Sequence, residues 1–403
     1  MIRIAFPLVG GPQWMGGFNY LVNLLRILGE RARDRVAPVL FIGTDLPNDL
    51  LRPLTELPHL TVVRDRDFNE TCKGRRLASS LLNGRDGVAL KHFNKSGIQV
   101  AFEPAQFYGW RFPLPTIAWT PDFQHRRLRH LFETSAFWRR ELGFRAQVIS
   151  KRQIMVSSED ARRDCESFYP ASRGSTHVVR FAVQTRPIDD RVARAIAEGY
   201  GLPSKFFYLP NQFWHHKNHE CVIRALQILK KRGEPVVVAV TGKQDNREDP
   251  ELFPRLMGMV EKWQLQSEFR PLGVVPLQHV FALMQASVAL INPSLFEGWS
   301  TTVEEAKTIG VPMLLSSIEV HKEQAGQLAV FFDPHSPDDV AAALGNFSPL
   351  AEDERRNAHR QAASDTERRV QRFAEEFCTL VERTASAFRA ETTASRGKIA
   401  ASE

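Results

Sequence analysis

Short apolar runs alternate with helical patterns along nearly the whole chain, and they do so in two successive series. The first series opens on IRIAFPLV at residues 2–9 and a Gly-rich turn, then continues through VAPVLFIG, LTVV, GIQVAFE, TIAW and QIMVSS. The second opens on KFFYLPNQ and runs through VVVAVTG, FRPLG, VALINPS and PMLLS. Strands that alternate with helices build parallel sheets with crossover helices on both faces. At 403 residues the chain is too long for one ordinary core. The alternation therefore predicts an α/β protein of two doubly wound, Rossmann-like domains facing a cleft. The expected division is 1–185 for the first domain and 186–350 for the second, with the pattern lapsing around residues 181–205. A charged helix over 351–388 is expected to cross back to the first domain, and the small polar tail 389–403 to be disordered.

Composition excludes several classes. The chain is 43% hydrophobic and 25% charged, as globular proteins are. Its N-terminal apolar run is too short for a signal peptide and holds an arginine, and no run of 18 apolar residues would span a membrane. The cysteines Cys72, Cys165, Cys221 and Cys378 form no CxxC pair, which argues for a reducing compartment and against structural zinc. A soluble cytoplasmic protein is expected. The net charge of +7 is concentrated: residues 124–163 hold ten Lys/Arg against four acids. Such a segment suits nucleic acid, an anionic membrane or a phosphorylated substrate, and its plainest account is a solvated helical face. No helix-turn-helix pattern, RNP-type motif or zinc-finger spacing supports nucleic acid, which is set aside.

The chemistry centres on LFEGWSTTVEEAKTIG, residues 295–310. Thr301 and Thr302 each precede a glutamate by three, Glu304 and Glu305, so either pair could form a capping box. Glu297 has no such account: it lies in a Gly-containing loop at the end of a buried strand. The following helix aims free N–H groups and a partial positive charge at that loop, which makes an anion site. A carboxylate beside an anion site is unfavourable unless it binds something else, and sugar hydroxyls fit. Two acids flanking a phosphate-binding helix end suit a nucleotide diphosphate sugar, with Glu305 accepting from the ribose and Glu297 from the hexose.

NPSLFEGWSTTVEEAKTIGVPMLLS also resembles the E-x7-E signature of retaining GT-B glycosyltransferases of the family 4 type, the glycosyl transferases group 1. The resemblance implies the GT-B fold, with Glu297 on the donor sugar and Glu305 on the ribose. Gly298, Ser300 and Thr301 would then border the donor. SSIEVHKEQ is similar to a segment lining the same cleft and brings in Glu323, although His321, Lys322 and Glu323 also read as a surface charge run. Gly16 and Gly17, opening a helix after the first strand, resemble the family's donor-diphosphate loop. Their spacing fails the G-x-G-x-x-G fingerprint. Lys217 matches a diphosphate-clamping lysine, whereas Asn211 stands where an arginine is common. The stretch W-x-P-D-x-Q-H carries Asp122 and His125, which resemble acceptor-facing residues of a branch associated with bacterial surface polysaccharides; the plainer accounts are a helix cap and a surface histidine.

The resemblance further implies hexosyl transfer with retention, by same-face displacement, to a saccharide or lipid-linked saccharide acceptor. No metal or other cofactor is required. The basic segment after His125 would face that acceptor or give peripheral contact with the anionic inner face of the cell membrane. A sugar-nucleotide epimerase of the same fold is one alternative. A catalytically silent sugar-nucleotide-binding protein is another, favoured by Asn211.

Overall fold

The computed structural model describes residues 1–8, 15–104, 106–185, 188–245 and 248–400, the side chains of Met15 and of residues 389–400 apart. The chain forms two compact units, Met1–Phe181 with Arg369–Glu403, and Ala182–Arg368.

The first unit holds seven strands: β1 (Ile2–Pro7), β2 (Val36–Ile42), β3 (Thr61–Arg64), β4 (Val100–Glu103), β5 (Thr116–Trp119), β6 (Gln153–Val156) and β7 (Thr176–Val178). All pair in parallel, in the order β3-β2-β1-β4-β5-β6-β7. Strands such as VAFE and TIAW are buried at every residue because helices cover both faces. Phe6, Phe41, Phe93 and Phe102 fill the core, with the Phe41 and Phe93 rings 4.8 Å apart. The end of the chain completes it: the Phe377 ring stacks 6.1 Å from Phe6, and Arg35 pairs with Glu382 at 2.7 Å.

The second unit holds β8 (Phe207–Leu209), β9 (Val238–Thr241), β10 (Phe269–Gly273), β11 (Ala289–Asn292), β12 (Met313–Ser316) and β13 (Ala329–Phe332). Their order is β10-β9-β8-β11-β12-β13, again all parallel. One apolar cluster sits on each face of this sheet, the first around Leu226, Val240 and Ile291, the second around Tyr208, Leu290 and Leu315. Gly310 ends the helix Thr301–Ile309 at φ +82°, and a Cβ there would lie 2.6 Å from the Ala358 carbonyl oxygen. Only glycine lets the last helix approach so closely.

Two strands escape the sequence reading, β7 and β13. Both are short edge strands: Thr176–Val178 has little apolar pattern, and Ala329–Phe332, though apolar throughout, is only four residues long. The last helix corrects another expectation. It runs Glu352–Ala400, so the stretch expected as a disordered tail is helical up to Ala400, and residues 401–403 lie outside the described residues. Once nucleated and packed, a helix gains one hydrogen bond for each further residue.

In each sheet the strand order reverses once, between β1 and β4 and between β8 and β11. At such a switch point the loops beyond the strand ends diverge and leave a crevice for ligands. In the second unit those loops carry Lys217 and Glu297.

Candidate active site

The switch point of the second unit is organised by an asparagine that sequence reasoning passed over. Asn292, the last residue of β11, is fully buried. Its Oδ1 accepts from Asn211 Nδ2 at 3.2 Å and from Ser294 Oγ at 2.7 Å, while its Nδ2 donates to Ser300 Oγ at 3.1 Å and Thr302 Oγ1 at 3.3 Å. One amide thus joins the loop after β8, the loop after β11 and the start of the helix Thr301–Ile309. Asn218, in the left-handed conformation, adds a second tie by donating to the carbonyls of Pro293 and Pro334. The Leu295 amide donates to the His216 carbonyl at 2.8 Å and zips the two loops together.

This framework brings Lys217 and Glu297 into contact, Nζ donating to Oε1 at 2.6 Å with side chains 15% and 10% exposed. Burial by itself would raise the Glu297 pKa. The charge of Lys217, in contact with the carboxylate, outweighs burial and holds the carboxyl at about 2. Glu297 is a carboxylate throughout the physiological range. His321 is fully buried, not part of a surface charge run as its neighbours suggested. Ser316 Oγ donates to the Ser294 carbonyl at 2.6 Å, which leaves it to accept from the His321 Nδ1–H at 2.9 Å. Nε2 is left as an acceptor, buried and without a hydrogen-bond partner. Burial lowers the His321 pKa to about 4, so the ring stays neutral.

Glu305 is placed differently. It is partly buried on the helix Thr301–Ile309 and makes no hydrogen bond or ion pair among the described residues. Burial pushes its carboxyl up to about 8, and no cation answers it. The capping-box account fails for both glutamates. The helix starts at Ser300 with no side-chain cap, and Thr302 Oγ1 meets Asn292 and Ser300 instead. Glu304 is buried and pairs with Lys307 at 2.8 Å and Gln324 at 3.0 Å. Gln324, also unforeseen, grips the helix start, accepting from Ser300 N at 3.1 Å and donating to Ser300 O at 2.8 Å. Glu323 lies beside it, partly buried, on the helix Glu319–Ala325.

Other expected residues fall into place less simply. Gly298 and Thr301 are partly buried at the loop and at the first helical position. Ser300 lies in the same turn, but it is buried and its polar groups are taken up inside the protein. Asn211 needs correction: it is 3% exposed, and its amide turns inward to Asn292 because a short neutral side chain can reach that acceptor. It does not present itself to a diphosphate. Gly16 and Gly17 form the first turn of the helix Met15–Arg31, Gly16 exposed and Gly17 buried. Residues 9–14 of the Gly-rich turn lie outside the described residues.

In the first unit His125 is corrected as well. Its side chain is 0% exposed, ringed by Phe132, Phe137 and Phe144, with Nε2 3.3 Å from Glu141. It is a packed histidine and meets no acceptor hydroxyl. Asp122 remains partly exposed, caps the Gln124 amide at 2.9 Å and stands 3.9 Å from Arg140. The basic segment is not an open phosphate-binding face either. Arg126 and Arg145 both bind the buried Glu141, at 2.5 and 2.6 Å, and Tyr169 donates to the same carboxylate at 2.8 Å. Arg127 binds Asp164 at 2.6 Å. Carboxylates the chain folds against absorb the charge of Arg126, Arg127 and Arg145, while Arg139 and Lys151 of the same segment stay exposed.

Among the described residues, one group of three side chains is close enough to hold a cation: Asp65, Asp67 and His92, in the first unit. Local bonds account for it, since Asp65 caps the Asp67 amide and His92 pairs with Asp67 at 2.9 Å.

Residues 197–365 match the family model described as glycosyl transferases group 1. The chain is 25% identical over 214 residues to the O-antigen chain mannosyltransferase B of Escherichia coli. That alignment covers 51% of this chain and spans about half, 53%, of the relative. Among solved structures, the Anabaena HepE protein in complex with UDP and glucose is 14% identical, with a TM-score of 0.64 over 95% of this chain and all of that one. WaaG, a glycosyltransferase involved in lipopolysaccharide biosynthesis, is likewise 14% identical, with a TM-score of 0.57 over 96% and 99%. Two parallel Rossmann-like sheets, a switch point bearing E-x7-E and these likenesses converge: the chain has the GT-B fold, and residues 197–365 of its second unit resemble the glycosyl transferases group 1, with likeness to surface-polysaccharide transferases.

Proposed function

We propose that the chain is a retaining glycosyltransferase that moves a hexosyl group from a nucleotide diphosphate sugar to a saccharide or lipid-linked saccharide acceptor. It works on the cytoplasmic side, in cell-surface polysaccharide synthesis, without a metal ion. The observation that carries this reading is the unpartnered, partly desolvated Glu305 on the helix that starts beside the Lys217–Glu297 pair. A carboxyl group left without a donor in such a place is completed by a ligand that brings donors, and ribose hydroxyls do so.

Lys217 then serves two states. Without ligand it neutralises Glu297; with donor bound it turns to the diphosphate, and Glu297 accepts from the hexose hydroxyls instead. In the displacement the C1–O bond to phosphate breaks, with its electron pair leaving on the diphosphate. The acceptor oxygen bonds to C1 on the same face, and its proton passes to the departing phosphate oxygen. Lys217 and the first-turn amides of the helix Thr301–Ile309 stabilise the charge that develops there. Gly17 is the first-unit residue proposed for donor binding. Asp122, partly exposed, is the remaining first-unit candidate to orient the acceptor, and Glu323 a second contact to the sugar.

The buried Asn211 favours one other reading, a sugar-nucleotide-binding protein that does not turn over, because it leaves Lys217 without the arginine usual in the family. Calorimetry with UDP-, GDP-, ADP- and dTDP-sugars, followed by NMR of the anomeric configuration in the product, tests both. Failure of every nucleotide sugar to bind overturns the site. Binding without transfer or hydrolysis over a broad acceptor panel selects the silent protein.

A further inference from the structure

We propose that the first unit carries a membrane-docking face, built by the helix Lys73–Leu82, the turn at residues 107–111 and the helix Thr134–Ile149, and that it seats on an anionic lipid surface. The proposal goes beyond the sugar-nucleotide reading and does not depend on it. It also moves the expected membrane contact away from Arg126 and Arg127, which the structure consumes in internal ion pairs.

The first observation is apolar exposure. On the helix Lys73–Leu82, Leu77 and Leu81 are exposed one turn apart and Leu82 is 85% exposed. On the helix Thr134–Ile149, Trp138, Leu142 and Ile149 are exposed, the last two at 60% and 71%. Spacings of four and seven residues put these three in one stripe along the helix. Scattered exposed leucines need no explanation, but two aligned sets on neighbouring elements do.

The turn between them makes the two sets neighbours. Gly109, at φ +104°, packs so closely on Gly84 that no Cβ fits, and the Arg111 amide donates to the Gly84 carbonyl at 2.8 Å. That anchors the turn to the end of the first helix. On the other side Arg152, three residues past Ile149, donates to the Gly109 carbonyl at 2.7 Å. Trp110 is exposed at this junction, its ring 4.9 Å from Phe107.

The second observation is charge. Arg75 lies on the first helix and Arg85 just past it, Arg111 lies in the turn, and Arg139 and Lys151 belong to the second helix and its end; all five are exposed, and none has an ion pair among the described residues. Across residues 73–85, 106–111 and 134–152 there is a single carboxylate, Glu141, and it is buried. Leucine, isoleucine and tryptophan with unopposed arginine and lysine are what an interfacial element needs: apolar groups to enter the acyl boundary and cations to meet lipid phosphate. A second copy of the same face would oppose like charges about a twofold axis, which disfavours self-association. Nucleic acid would satisfy the cations but leave the leucines in water.

Full-length protein with vesicles of phosphatidylcholine alone, or with about one quarter phosphatidylglycerol, tests the proposal by co-sedimentation at low and high salt. Binding is expected to the anionic vesicles at low salt and to weaken as salt rises. The combined variant Leu82→Gln, Leu142→Gln and Ile149→Gln should lose at least tenfold in partition with an unchanged melting temperature, since all three side chains already face water. Arg139→Gln with Lys151→Gln should lose about fivefold for each charge removed. Absence of binding to anionic vesicles, or normal binding by the apolar triple variant, overturns the proposal. So does a concentration-dependent dimer that the triple variant abolishes while vesicles are ignored. Nucleotide-sugar affinity measured without vesicles should be the same in wild type and variants; its loss in wild type would count against the function proposed above and not against the docking face.

Discussion

The unpartnered Glu305 makes the sharpest quantitative claim. Its carboxyl is held at about 8, so about one tenth is ionised at pH 7 in the unliganded protein. Ribose hydroxyls donate to the ionised form. Donor binding must therefore draw Glu305 from its protonated majority, and the apparent affinity is reduced by the ionised fraction. As pH rises, the affinity should grow about tenfold per pH unit until about 8 and then level off. Calorimetry at pH 7 in buffers of different ionisation enthalpy should show release of nearly one proton per donor bound. The diphosphate diester of a nucleotide sugar keeps its charge over this range, so the slope belongs to the protein. Glu305→Gln should flatten the slope and weaken binding at high pH. Stability carries the opposite sign. A carboxyl whose folded pKa lies above its unfolded value destabilises the fold as pH rises from about 4.5 to about 8. Glu305→Gln should therefore match wild type near pH 5 and melt higher above pH 8. Donor affinity that does not change with pH, or a variant that melts lower at every pH, would refute the reasoning and return Glu305 to a structural role.

Lys217→Ala should lower kcat by roughly a hundredfold or more, while chelators leave turnover intact; strict dependence on a divalent cation would sink the metal-free mechanism. The same variant strands Glu297 as a buried carboxylate without its cation, so its melting temperature should fall and recover in Lys217→Ala with Glu297→Gln. Glu141→Ala should cost roughly 1–3 kcal/mol in a denaturant titration, because it leaves the buried Tyr169 hydroxyl and His125 without their shared partner, while Arg126 and Arg145 stay open to water. Burial works against ionisation of Glu141, yet Arg145, Arg126 and Tyr169 hold its pKa at about 2. Its contribution to wild-type stability is therefore present above about pH 4.5 and is lost as pH falls toward 2. Gly310→Ala should destabilise through the close approach of the Ala358 carbonyl and the positive φ, read as a lower melting temperature with donor affinity unchanged.

Much of this protein is written locally. Runs such as VAPVLFI and ALIN are apolar at nearly every position, which only a strand covered on both faces tolerates, and the helical patterns between them leave few topologies to choose from. The E-x7-E stretch is local too: the loop, the helix start and both acids lie within one short segment, so their proximity is covalent. Partnership is not local. Arg127 meets Asp164 across 37 positions, Lys217 meets Glu297 across 80, and Asn211 meets Asn292 across 81. No periodicity encodes such pairs, because they depend on which strand ends the sheet order places side by side. That is why a run of arginines read as an open cationic patch became a network around one buried carboxylate, and why His125 turned into the core. It is also why Asn292 and Gln324, ordinary polar residues in the sequence, emerged as the ties of the site: an amide reveals its role only when its donors and acceptors are in place around it.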